Sequence, residues 1–178
     1  MKKKKNTDFD AVFWSNQEFE NPFDLLAAFY EYSSLETYKK TLGEAFCYLY
    51  KMEIYCKNYP GQLFIFYKAV RSFYKACYLL QFSKTKCKPT EPYEWKSSLH
   101  QASLSRDEYN NPFLVFERAF KEKTFEEYDF FLSEVVHLSL TTSKADFQDD
   151  LVTHYFHSIK MFDAAQLILE RGMENIKS

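Results

Sequence analysis

Glycine is nearly absent from this chain, with Gly43, Gly61 and Gly172 the only three in 178 residues. That scarcity excludes the G-x-G-x-x-G turn of dinucleotide-binding folds, the P-loop and any Gly-rich cradle for phosphates. Prolines number five and turn dipeptides are few, so a β-sandwich or barrel, which needs many tight turns, is excluded as well. The four cysteines, Cys47, Cys56, Cys77 and Cys87, contain no C-x-x-C pair. They read as small reduced hydrophobes of a cytosolic protein, not as disulfides or zinc ligands. No apolar run reaches the roughly eighteen residues of a membrane span. After Met1 and four lysines come Asn6, Thr7, Asp8 and Asp10, where a signal peptide would need an apolar stretch. The expected location is the cytoplasm, with no membrane contact.

Aromatic residues are what the chain has in excess. Nineteen Phe, fourteen Tyr and two Trp make up 20% of it, within a hydrophobic total of 46% and beside 27% charged residues. This balance argues against disorder, and the length suits one domain or two small halves sharing a core. Phe and Tyr are indifferent helix formers, so helices built from them must rely on tertiary packing, and each buried Tyr must find a partner for its hydroxyl.

The periodicity is helical. Leu63, Phe66, Tyr67, Val70, Phe73, Tyr74, Cys77 and Leu80 recur at i, i+3, i+4 and i+7, with Lys68, Arg71, Ser72 and Lys75 on the other face. Pro60 suits the start of that helix, and Asn58 to Gly61 should stop the one before it. Upstream, Leu35, Tyr38, Leu42, Ala45, Phe46, Leu49 and Met52 form a comparable stripe, with Ser33 and Glu36 as its capping box. A short helix should run from Pro22 to about Tyr32, capped by Asn21.

The second half repeats this plan. Asn21-Pro22-Phe23 returns as Asn111-Pro112-Phe113, an offset of 90 residues at which Glu36, Tyr38, Leu42 and Glu44 also match Glu126, Tyr128, Leu132 and Glu134. A capping box returns as Thr124 with Glu127. One residue out of that register, the segment from Tyr67 to Phe73 aligns with Phe156 to Phe162. The expected fold is therefore all-α: a bundle of about six main helices in two pseudo-repeated three-helix halves. Its expected parts are an N-terminal tail or short helix (1–20), a first half (21–82), a connector (83–110) and a second half (111–178). The connector should hold a short helix near Tyr93–Leu104, because a structureless loop of that length is unusual in a compact domain.

Charge is segregated. Residues 1–37 carry a net −3, residues 38–100 a net +7, and residues 101–178 a net −6, for a total of −2. The basic and acidic parts can dock on each other within one chain or between two, or the basic part can meet an acidic partner.

Motifs for chemistry are sparse. Glu134 and His137 form an E-x-x-H pair, but the matching position holds Glu44 and Cys47, so the second pair of a di-metal carboxylate bundle is broken. His154 and His157 share the same spacing. However, the apolar stripe through Val152, Tyr155, Phe156, Ile159 and Phe162 leaves His157 on the polar side. There is no G-x-S-x-G elbow. No arginine is followed four to six residues later by a histidine, which removes the pairing used by small helical ribonucleases. No catalytic residue, cofactor or metal is expected, and the chain reads as non-enzymatic. An interaction surface is expected at Lys68, Arg71, Lys75, Lys84, Lys86, Lys88 and Trp95. The expected role is protein–protein interaction or self-association. A nucleic-acid-associated protein using residues 38–100 is the alternative, and a metal-dependent bundle enzyme ranks third.

Overall fold

Local capping sets where most of these helices begin. A computed structural model of the chain describes residues 8–51, 53–56, 59–82, 87–89, 103–142 and 150–175. Asn21 accepts the Phe23 N–H at 3.0 Å and Pro22 takes the first helical position of a helix over Pro22–Tyr32 (α2), preceded by a short turn of helix over Val12–Ser15 (α1). Ser34 caps the next helix, Leu35–Tyr48 (α3), by accepting from the Thr37 N–H. The expected Ser33–Glu36 box is therefore displaced by one residue, because Ser33 is extended and closes α2. That helix also ends at Tyr48, short of Met52, and the chain then crosses to the other half, where the Tyr55 N–H bonds the Ser139 carbonyl at 2.8 Å. Pro60–Leu80 (α4) starts on its proline as expected.

A three-residue strand, Cys87–Pro89 (β1), and a short helix, Arg106–Asn110 (α5), lie between the halves. Most of the helix expected at Tyr93–Leu104 lies outside the described residues. Then come Phe113–Glu122 (α6), Phe125–Ser139 (α7) and Leu151–Arg171 (α8), and Met173–Asn175 (β2) pairs antiparallel with β1. Among the described residues the fold is an all-helical bundle with this one small strand pair. Among the described residues no helix is long and apolar enough to cross a membrane.

The two corners that join short helices to the middle ones are built alike. Ser33 and Lys123 are both extended, and their N–H groups bond the carbonyls of Phe29 and Ala119. Ser34 and Thr124 cap the following helices. The Tyr38 hydroxyl then donates to the Phe29 carbonyl at 2.9 Å, and the Tyr128 hydroxyl reaches the Ala119 carbonyl at 3.4 Å. The packing is matched too: α2 against α4 as α6 against α8, α4 against α7 as α8 against α3, and α2 against α8 as α6 against α4. The Asn-Pro-Phe signal differs. Asn111 closes α5 and does not cap α6, which begins without a side-chain cap.

Rings fill the core. Phe29 of α2 stacks on Tyr38 of α3 (3.8 Å between centroids), on Phe73 of α4 (4.7 Å) and on Phe162 of α8 (6.0 Å). Buried hydroxyls are satisfied locally. Tyr74 lies 2.6 Å from Ser158 Oγ, which itself donates to the His154 carbonyl, and Tyr30 donates to the Phe162 carbonyl at 2.6 Å. A Cβ at Gly43 of α3 would sit 3.1 Å from the Tyr155 hydroxyl of α8, so that glycine permits the close approach of these two helices.

Two faces differ from the sequence reading. The buried side of α8 runs through Leu151, His154, Ser158, Met161, Ala165 and Ile168, while Val152 and Phe156 are exposed. His154 Nδ1 and Ser158 Oγ each bond a carbonyl four residues back, that of the N-cap Asp150 and that of His154, which offsets part of the cost of burying them. The N-terminal segment is not a free tail either. Phe9, Ala11 and Trp14 are buried, and the Trp14 indole N–H donates to Ser72 Oγ at 3.0 Å, which buries a serine expected on the solvent face of α4.

Candidate functional site

The expected basic surface separates into parts with different fates. Lys84, Lys86 and Trp95 lie outside the described residues, and Lys88 falls in β1, where the backbone alone is described. Lys68, Arg71 and Lys75 share one line along α4. Arg71 Nε donates to both Asp129 oxygens at 2.8 and 3.0 Å, and its Nη1 pairs with Asp10. Lys75 donates to Asp10 Oδ2 at 2.8 Å and to the Asp8 carbonyl at 3.1 Å. Hydrogen bonding from Lys75 is the main cause that holds the Asp10 carboxyl below its ordinary pKa. Lys68 Nζ lies over the Phe64 and Tyr67 rings, 5.8 and 6.0 Å from their centroids. The structure thus brings these three cations together, but two of them are spent on carboxylates of the same chain. A second tie between the segregated charges is half-buried: Lys39 of α3 pairs with the buried Asp163 of α8.

Beyond each end of that basic stretch the same line of α4 carries exposed rings. At its N-terminal end Phe64 meets Phe13 of α1 edge-on at 5.5 Å. At the other end Tyr78 touches Phe120 of α6 edge-on at 5.3 Å and Phe82 at 5.8 Å, with Phe125 of α7 at 6.3 Å. Phe82 is 61% exposed.

Glu134 and His137 sit on α7, His137 exposed. Among the described residues no group of three or more His, Cys, Asp or Glu is placed to hold a metal ion. Cys47 and Cys56 are exposed free thiols, while burial pushes the Cys77 thiol up.

Sequence reasoning missed the most structured polar cluster. A cleft of about 660 Å³ between α6 and α8 has Val115 and Ala119 on its apolar side and Glu108, Arg118, His157 and Lys160 on its polar side. Glu108 is buried. It closes the α5 capping box on the Ser105 N–H at 2.9 Å, and it accepts from Arg118 Nη1 at 2.9 Å and from Lys160 Nζ at 2.8 and 3.1 Å. Burial alone would raise its carboxyl, but Lys160, the Ser105 N–H and Arg118 together hold it down to about 2. His157 lies with Nδ1 2.9 Å from the Tyr128 hydroxyl and Nε2 3.3 Å from Glu122. This fits a neutral ring whose Nε2–H donates to Glu122, and burial lowers its pKa. The one legible signal was Ser105-x-x-Glu108, a capping-box pattern; nothing local marks Arg118 or Lys160 as its partners.

Comparison with protein-family models, with curated proteins and with solved structures returns no match.

Proposed function

We propose that this chain is a non-enzymatic cytoplasmic protein that works by binding another protein, a second copy of itself included, through the aromatic surface at the C-terminal end of α4. The carrying observation is the four-ring cluster of Tyr78, Phe120 and Phe125 from three helices with Phe82 just past the end of α4, open to solvent at Phe82. Contiguous exposed rings are uncommon on monomers, and aromatic anchors dominate binding energy at protein interfaces. Nucleic-acid association through residues 38–100 ranks second. The ion pairs of Arg71 and Lys75 weigh against it, because a cation already neutralised by its own chain releases fewer counterions from a phosphate backbone.

Light scattering beside a salt titration of DNA and RNA binding tests this. The expected result is a species larger than the 21.3 kDa chain that returns to that mass in Phe82→Glu. Submicromolar nucleic-acid binding at physiological salt would reverse the order of the two readings. In that case affinity should survive Phe82→Glu and be lost when Lys84, Lys86 and Lys88 become Glu.

A further inference from the structure

The α6–α8 cleft has the size and composition of a small-molecule site. Its 660 Å³ falls within the roughly 300–1,000 Å³ of ligand pockets. One side is apolar: Val115 and Ala119 are buried at its floor, and the Phe156 ring stands at its edge, 59% exposed with an edge-on contact to neighbouring Tyr155 at 5.8 Å. The other side holds charge in excess of internal need. Arg118, Lys121 and Lys160 bring three positive charges against the carboxylates of Glu108 and Glu122, with His157 neutral at pH 7. One unit of positive charge is left over.

The unspent charge has an identifiable place. Glu108 draws both Arg118 and Lys160, yet Arg118 commits only Nη1 to it, and the guanidinium side chain remains 53% exposed. Its other N–H groups meet no acceptor among the described residues. Glu122 does not compensate, because it is turned to His157. Nor is this a cation site. The Glu108 oxygens already accept from Lys160, Arg118 and the Ser105 N–H, which leaves no carboxylate free to coordinate.

We propose that this cleft binds a small monocarboxylate with a flat apolar body, its carboxylate on the free edge of Arg118 beside Lys160 and its ring against Phe156, Val115 and Ala119. The guanidinium fork matches a carboxylate in two parallel hydrogen bonds, and its arrangement on buried Glu108 fixes the fork in advance of binding. The single surplus charge matches a monoanion. A phosphate monoester, with nearly two charges, would bring more negative charge than the cleft can neutralise.

Isothermal titration of the whole chain with 2-naphthoate tests the site, with 2-naphthalenemethanol and 2-naphthyl phosphate as the neutral and doubly charged counterparts. Arg118→Gln and Phe156→Ser alter largely exposed side chains, and circular dichroism confirms that both variants stay folded. Naphthoate should bind with a submillimolar dissociation constant, and the alcohol should bind at least ten-fold more weakly. Each variant should lose at least ten-fold in naphthoate affinity. The proposal is overturned by no naphthoate heat, by equal affinity for the alcohol, or by unchanged affinity in either variant. Tighter binding of the phosphate would overturn the assignment to a monocarboxylate.

Discussion

Replacing Lys39 with methionine should make the stability of this protein depend on pH more steeply than that of the native chain. Asp163 of α8 has no solvent exposure, and it holds two partners: the Lys39 ammonium of α3 and Ser103 Oγ, which donates to it at 2.6 Å. Burial pushes its carboxyl upward even with Lys39 in place. Without Lys39 the group must stay ionised without a cation or take up a proton. Protonating a carboxyl of ordinary pKa, about 3.9, costs about 4 kcal/mol at pH 7, at 1.36 kcal/mol per pH unit. That sum is a ceiling on the loss, and it agrees with the roughly 3–5 kcal/mol found when one partner of a buried pair is removed. At pH 5 the same ceiling is about 1.5 kcal/mol.

The direction follows from linkage. In the variant the folded-state pKa of Asp163 lies above its unfolded value, so the folded protein binds the proton more tightly and gains as pH falls. The loss relative to the native chain is therefore largest at neutral pH and shrinks toward pH 5. Urea unfolding at pH 7 and pH 5 measures it, first in the native background and then in Asp163→Asn, which carries no charge to strand. The expected loss is about 3 kcal/mol at pH 7, a midpoint lower by roughly 1 M or more, and about half of that or less at pH 5. In the Asp163→Asn background Lys39→Met should cost under about 1 kcal/mol at both pH values. A loss below about 1 kcal/mol at pH 7, unchanged at pH 5, would refute the reasoning and make the pair no more than a solvated surface contact.

Three further outcomes are expected. Because the folded Glu108 carboxyl is held at about 2, its contribution is present above its unfolded pKa and is lost as pH falls from about 4.5 toward 2; Glu108→Gln should flatten that part of an acid unfolding curve. Tyr38→Phe removes a buried hydroxyl bonded to the Phe29 carbonyl, which still accepts the Ser33 N–H, so chemical denaturation should show a loss of about 1 kcal/mol and no more than about 1.5. In a crystal structure, residues 22–82 should superpose on 112–171 about a pseudo-two-fold axis, with the Ser33–Ser34 and Lys123–Thr124 corners aligning; helices matched in order but not in angle would sink the duplication.

The parts of the fold that sequence made legible are those decided within one turn of chain. Asn21 before Pro22, Thr124 before Glu127 and Pro60 at the head of a long apolar stripe act on their own helix, and each stands where local chemistry puts it. Faces were harder to read. The outer side of α4 reads as a basic solvated face until Asp10 and Asp129, 61 and 58 positions from Arg71, arrive to cover it. The buried side of α8 reads wrongly because polarity was equated with exposure, whereas Ser158 Oγ and His154 Nδ1 each bond a carbonyl four residues back and are buried. The cleft was not legible. It needs Glu108, Arg118 and Lys160 from three separate helices, and no spacing in the chain announces that they meet.

The charge segregation along the chain takes on a physical meaning in these contacts. Arg71 and Lys39 come from the basic stretch, and Asp129 and Asp163 from the acidic one. Both pairs cross from the first set of helices to the second. The rings between them, Phe29, Phe73, Tyr74, Tyr128 and Phe162, are fully buried, but apolar packing tolerates many relative rotations of two amphipathic helices. A buried carboxylate does not. If α3 rotated by one residue against α8, Lys39 would leave Asp163, and the stranded charge would cost more than any single ring contact could return. Aromatic area therefore drives the halves together, while the few cross-pairs select the register in which they meet. It follows that removing both charges of a pair should cost less stability than removing one.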